Sequence, residues 1–108
     1  MRLQNLEQFS EIVVAGRVIP IYWVEGFCVV TGNMGESAFQ PPTITIDAHV
    51  PDVMKLEVLM HETLHQVDEA YGGMFSLSGD SMDNENRCKA LGIALASIVQ
   101  QLYASCMQ

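Results

Sequence analysis

The sequence predicts one α+β domain: a small antiparallel or mixed sheet with an edge strand, followed by two helices. Three observations carry that prediction. At 108 residues the chain is the size of a single domain, so residues 1–108 must share one core. With 49% hydrophobic and 17% charged residues, it is too apolar to resemble a disordered segment. Near Pro51 the pattern changes from short β-branched and aromatic runs to apolar residues at helical spacing.

Leu3, Leu6 and Phe9 have the spacing of a short leading helix. Residues 12–14, 18–23 and 27–30 are β-branched or aromatic runs separated by Ala15-Gly16-Arg17 and Glu25-Gly26, and they read as hairpin strands. Pro20 has no amide hydrogen to donate and so predicts an edge position for its strand. Residues 32–42 are rich in turn formers and read as a loop, after which residues 43–47 alternate polar and apolar like a half-buried strand. Beyond Pro51, Asp52 is the expected helix cap, and Val53, Leu56, Met60, Leu64 and Val67 mark an amphipathic helix that Gly72 and Gly73 end. A loop over residues 74–80 leads to a second helix, capped by Ser81 or Asp83. Its expected apolar stripe is Cys88, Leu91, Leu95, Ile98, Val99 and Leu102.

Charge and composition exclude several roles. Five Lys plus Arg against thirteen Asp plus Glu give a net charge of −8, which repels phosphate backbones and anionic membranes. Neither a signal-peptide run nor a stretch of roughly 18 apolar residues is present, so the expectation is a cytoplasmic protein without nucleic-acid or membrane partners. Cys28, Cys88 and Cys106 form no CxxC pair and read as reduced, mostly buried thiols.

The most informative feature is His61-Glu62-Thr63-Leu64-His65, an HExxH sequence inside the first strong helix. At about 100° per residue, positions four apart differ by only about 40°, so both imidazoles can reach one metal ion. Glu62 lies on the adjacent flank, where it can accept a proton from water without itself binding the metal. Three His and eight Glu in this chain yield roughly 0.006 chance matches to the pattern, so accident explains it poorly.

The motif on a helix between an apparent edge strand and a second helix resembles the zincin metallopeptidases. More narrowly, Ile44-Thr45-Ile46-Asp47, residues 58–65 and Asn84-Glu85-Asn86-Arg87-Cys88-Lys89-Ala90 resemble small phage-encoded and bacterial zincins of the ImmA/IrrE-like kind, over roughly residues 12–103. The resemblance implies one Zn²⁺ per chain and hydrolysis of peptide bonds in a peptide or protein substrate. It also implies a third ligand from the following helix, where Glu85 is the matching position.

Glu85 shares helical phase with Cys88, Gly92, Leu95 and Val99, which places it in the first turn on the inward side. Asp68, Asp80, Asp83 and His49 remain alternatives for that ligand. Asp83 is more simply a cap, His49 a turn residue, and Asp68 a group that orients a ligand histidine. Where many gluzincins carry an acidic residue four positions after the ligand glutamate, this chain has Lys89; Cys88 stands where alanine is common and reads as packing. His61, His65 and Glu85 would leave a fourth zinc position open to water, with Glu62 as general base. The strand bearing Thr43, Thr45 and Asp47 would offer its edge to an extended peptide. Tyr71 is the nearest oxyanion donor in sequence, although a tyrosine at a helix end more often packs. The competing reading is a metal-stabilised interaction or regulatory module that cleaves nothing. An acidic nucleic-acid mimic fits poorly, since the charged fraction is low and the motif would go unexplained.

Overall fold

A computed structural model describes residues 5–79 and 81–106 and shows an α+β domain with a four-stranded mixed sheet. In chain order the elements are β1 (Glu11–Val14), β2 (Arg17–Val24), α1 (Phe27–Thr31), β3 (Gly35–Phe39), β4 (Pro42–Asp47), α2 (Asp52–Ala70) and α3 (Met82–Cys106). The strands lie in the order β1-β2-β4-β3, with β2 and β4 parallel and the outer pairs antiparallel.

The β1–β2 hairpin turns at Ala15 and Gly16, both at positive φ, the geometry of a tight turn that matches the strand twist. Alternation then places Ile19, Ile21, Ile44 and Ile46 on one sheet face, where they pack against Val58 and Leu59 of α2. This layer is the main core. A smaller cluster of Leu6, Leu56 and Ala96 seals the N-terminal end of α2 against α3. Leu6 sits in a 3₁₀ turn (Leu6–Gln8) in place of the expected leading helix; Leu3 lies outside the described residues.

Several expectations are corrected. Residues 27–30 form the helix α1, not a strand, because Gly26 and Gly32 bound them in left-handed conformation and the Asp47 carboxylate holds the Cys28 amide at 2.7 Å. Val29 and Val30 are 90% and 85% exposed, so their β-branching has no packed surface to serve. The expected loop over residues 32–42 contains β3, where Gly35 is needed for close approach: a Cβ there would lie 2.8 Å from Val58 Cγ1. β2 is an interior strand despite Pro20. The Ile21 amide points at Ser10 of the β1 side, so the Pro20 nitrogen faces the β4 side, before the first β2–β4 pair at Ile21.

Pro51 occupies the cap position of α2, and the Asp52 carboxylate binds Lys55 rather than the helix amides. Lys55, itself buried, also pairs with Glu7. α2 ends as expected, with Gly72 and Gly73 at positive φ and the Gly73 amide on the Asp68 carbonyl. Ser81 caps α3 weakly, its Oγ 3.4 Å from the Asn84 amide. The buried seam of α3 is Cys88, Gly92 and Ala96, whereas Leu91, Ile98 and Leu102 of the expected stripe are exposed. Small side chains let the helices meet closely: a Cβ on Gly92 would lie 3.2 Å from the His61 Cα. Of the three thiols only Cys88 is buried, and all are free. No described helix is long and apolar enough to cross a membrane.

Candidate metal centre

His61 and His65 lie one turn apart on the middle of α2, and their Nε2 atoms approach to 3.1 Å with the rings nearly perpendicular. Glu85, in the first turn of α3, closes the group. Its Oε1 is 2.9 Å from His61 Nε2 and its Oε2 is 3.6 Å from His65 Nε2. Donors about 2.0–2.1 Å from a tetrahedral Zn²⁺ are separated by about 3.3 Å; the two nitrogens lie 3.1 Å apart, and the carboxylate faces both, one oxygen 2.9 Å from one nitrogen and the other 3.6 Å from the second. The chemistry of the donors agrees. Burial, and after it the charge of His61, hold His65 below the ordinary imidazole range and keep it neutral. Its Nδ1 lies 3.1 Å from Ser78 Oγ; donation to that hydroxyl leaves the Nε2 lone pair facing Glu85 and His61.

Cys88 forms a second trio with the two histidines, all three ligand atoms within 4.8 Å of one another. Its sulfur is 3.8 Å from His65 Nε2 and 3.9 Å from Nδ1, so it lies on the plane bisecting the two nitrogens and along neither lone pair. Burial first, then nearby carboxylates, push this thiol up to about 12, and it donates to the His61 carbonyl. That geometry is packing against an imidazole, whereas Glu85 points at the nitrogens. Glu85 is half-exposed at the cleft rim, a more open position than the inward phase predicted.

Glu62 extends from the neighbouring flank of α2 towards β3 and is 6% exposed. Burial, reinforced by Glu85 and Glu36 and opposed by a Ser37 hydrogen bond, raises its carboxyl to about 7. Ser37 Oγ is 2.9 Å from the Glu62 carbonyl and 3.0 Å from Oε1. One hydroxyl has one proton. It can serve the carboxylate when Glu62 is ionised, or the carbonyl when a protonated Glu62 donates to Ser37. Ser37 went unnoticed in the sequence because it falls in the stretch read as a loop.

Asp68 makes no hydrogen bond to either histidine, and only its charge reaches His65. Fully buried, its carboxylate accepts the amides of Phe75 at 2.8 Å and Leu77 at 3.0 Å, and so anchors the loop that returns Ser78 to His65. From α3, Asn84 and Arg87 donate to the Ser78 and Ser76 carbonyls of the same loop. Beyond its charge, the effect of Asp68 on the histidine runs through backbone and hydroxyl, not by direct orientation.

Thr43, Thr45 and Asp47 do not form an edge, because β4 is paired on both sides. Asp47 is buried and accepts the Cys28 and His49 amides, which hold its carboxyl below the usual range. The Thr43 carbonyl receives Gln66 Nε2. The sheet edge beside Glu62 is β3. His49 lies against Glu25, Asp83 is an exposed residue in the first turn of α3, and Tyr71 meets Phe75 edge to face; Asp80 lies outside the described residues. A cleft of about 620 Å³ runs between β3 and α3 over α2, with His61, Glu62, His65 and Glu85 in its wall.

Comparison with protein-family models, curated proteins and solved structures finds no match.

Proposed function

We propose that the protein is a zinc-dependent metallopeptidase of zincin type, with His61, His65 and Glu85 holding one Zn²⁺ per chain and Glu62 as general base. The observation that carries this reading is the Glu85 carboxylate, which comes from a separate helix to meet both Nε2 atoms at 2.9 and 3.6 Å. Zinc, when bound there, supplies acidification of a water and polarisation of a peptide carbonyl. Ser37 engages Oε1 of Glu62, which leaves Oε2 to take the proton from the attacking water and deliver it to the leaving amine as the C–N bond breaks. In the metal-free protein burial lifts this carboxyl to about 7, and Zn²⁺ bound beside it would favour the ionised, proton-accepting form.

The peptide-binding edge in this reading is β3. The Asp47 amide bonds to the Met34 carbonyl, so alternation turns the peptide groups of Gly35, Ser37 and Phe39 towards the free edge. An extended substrate added there would run along the line of Glu62 and His61.

Zinc content and cleavage of denatured casein by the parent and by Glu62→Gln test the proposal. One zinc in both proteins with cleavage only by the parent is the expected result; equal cleavage by both removes Glu62 from the mechanism. A second reading is a closed and catalytically silent site, in which the Cys88 sulfur, whose distance to the histidine nitrogens is within 4.8 Å, would turn in as a fourth ligand and take the position water needs. Cobalt substitution separates the two: a sulfur-to-cobalt charge-transfer band that disappears in Cys88→Ala would support the closed site.

A further inference from the structure

Glu57 precedes His61 by one turn of α2, so both side chains address the same cleft. A notch of about 170 Å³ adjoins that cleft, with Leu56 and Ala96 among its walls, and Glu57 and Ile93 border both spaces. Met54 and Val58 make the neighbouring cleft wall apolar. Glu57 is half-buried and has no hydrogen bond or ion pair among the described residues, unlike Asp52 one turn earlier, which binds Lys55. Lys89 lines the same cleft from α3 without pairing to it.

We propose that Glu57 determines specificity by receiving a lysine or arginine side chain of the substrate, its aliphatic stem on Met54, Val58 and Ile93. An unpaired carboxylate beside apolar walls suits a side chain with a long apolar stem and a cationic tip. The net charge of −8 favours the approach of such peptides. Four residues of helix, about 6.0 Å of rise, separate Glu57 from His61, which is less than two residues of extended peptide at about 3.3 Å each. The basic residue therefore flanks the bond under attack. This inference rests on the metallopeptidase reading and assigns its substrate class.

The test uses zinc-loaded Glu62→Gln protein, which binds without cleaving, and fluorescein-labelled alanine heptapeptides whose central residue is Arg, Lys, norleucine or Glu. Binding is read by anisotropy. The Arg and Lys peptides should bind about tenfold more tightly than the other two, the scale of one partly desolvated charge pair. Adding Glu57→Gln should erase the difference, and adding Glu57→Lys should make the Glu peptide the preferred one, with zinc content unchanged. Failure of the Arg peptide to bind, or the same ranking in all three proteins, overturns the assignment. Casein cleavage by the parent keeps the two readings apart. Glu62-dependent cleavage without a basic preference removes only the Glu57 assignment, and a Glu57-dependent preference without cleavage removes only hydrolysis.

Discussion

The two walls of the cleft are held by different forces. The β3 wall meets α2 through hydrogen bonds: Ser37 on the Glu62 carbonyl and carboxylate, and Gln66 on the Ala38 and Thr43 carbonyls. The α3 wall meets α2 mainly through shape, along the seam of Cys88, Gly92 and Ala96, to which the Cys88 thiol adds a weak hydrogen bond on the His61 carbonyl, with the Asp68-anchored loop clasped over one end. The β3 wall sets the burial and proton affinity of Glu62, whereas the α3 wall sets how far Glu85 stands from the histidines. Lesions in the two walls should therefore separate, those on α3 reading out as metal affinity and those on β3 as proton chemistry.

The largest effect is expected where the walls share donors. The His61→Ala, His65→Ala double variant should lose its zinc entirely by elemental analysis; stoichiometric zinc in that variant would place the metal elsewhere. Removing zinc from the parent should lower its melting temperature, since a site that exists only in the folded state couples binding to folding.

On the α3 wall, Glu85→Gln removes the only anionic donor of the set and should weaken zinc binding by more than about 100-fold in chelator competition. Asp68→Asn and Ser78→Ala act through the loop and should cost about 10- to 100-fold at most. A greater loss for Asp68→Asn than for Glu85→Gln would mean that the clasp, not the carboxylate, governs the site.

On the β3 wall the expected signature is a pH dependence of the metal-free protein. Glu62 has a folded-state carboxyl of about 7 against 4.5 ordinarily, so between those values the folded state binds more protons than the unfolded one. The stability this group contributes is then fully present below about pH 4.5 and is lost as pH rises through 7, by up to about 3 kcal/mol. Urea unfolding of the chelated protein at pH 5 and 8 should show the decline, and Glu62→Gln should remove it. Ser37→Ala withdraws the hydrogen bond that lowers this carboxyl, so it should raise the Glu62 midpoint further while zinc affinity stays within about twofold. A parallel loss of zinc would show that the walls are coupled.

The smallest effect tests the seam. Gly92→Ala brings a Cβ to 3.2 Å from His61 Cα and N, and α3 must shift by tenths of an ångström to admit it. A destabilisation of about 1–3 kcal/mol with a modest loss of zinc affinity is expected; zinc affinity unchanged at that cost would mean that Glu85 absorbs the shift.

Most of what was legible in the sequence is helical. The i,i+4 histidines, the phase of Glu85 and the glycines that end α2 depend on a period of 3.6 residues and on local backbone freedom, both fully present in the order of residues. The misreadings have a common cause. Phe27–Thr31 is rich in strand formers yet helical, and Gly35–Phe39 is rich in turn formers yet a strand, because in each case a distant partner decides: the Asp47 carboxylate for the first, pairing with β4 for the second. The edge beside the site moved from Thr43, Thr45 and Asp47 to β3 for the same reason, since strand order is not a local property. By itself the sequence determined which side chains share a helix face and hence which can meet one metal ion. Only the tertiary structure decided what stands opposite them, because Ser37, Gly35 and Ser78 reach Glu62 and His65 through strand pairing and a loop clasp that no short-range period encodes.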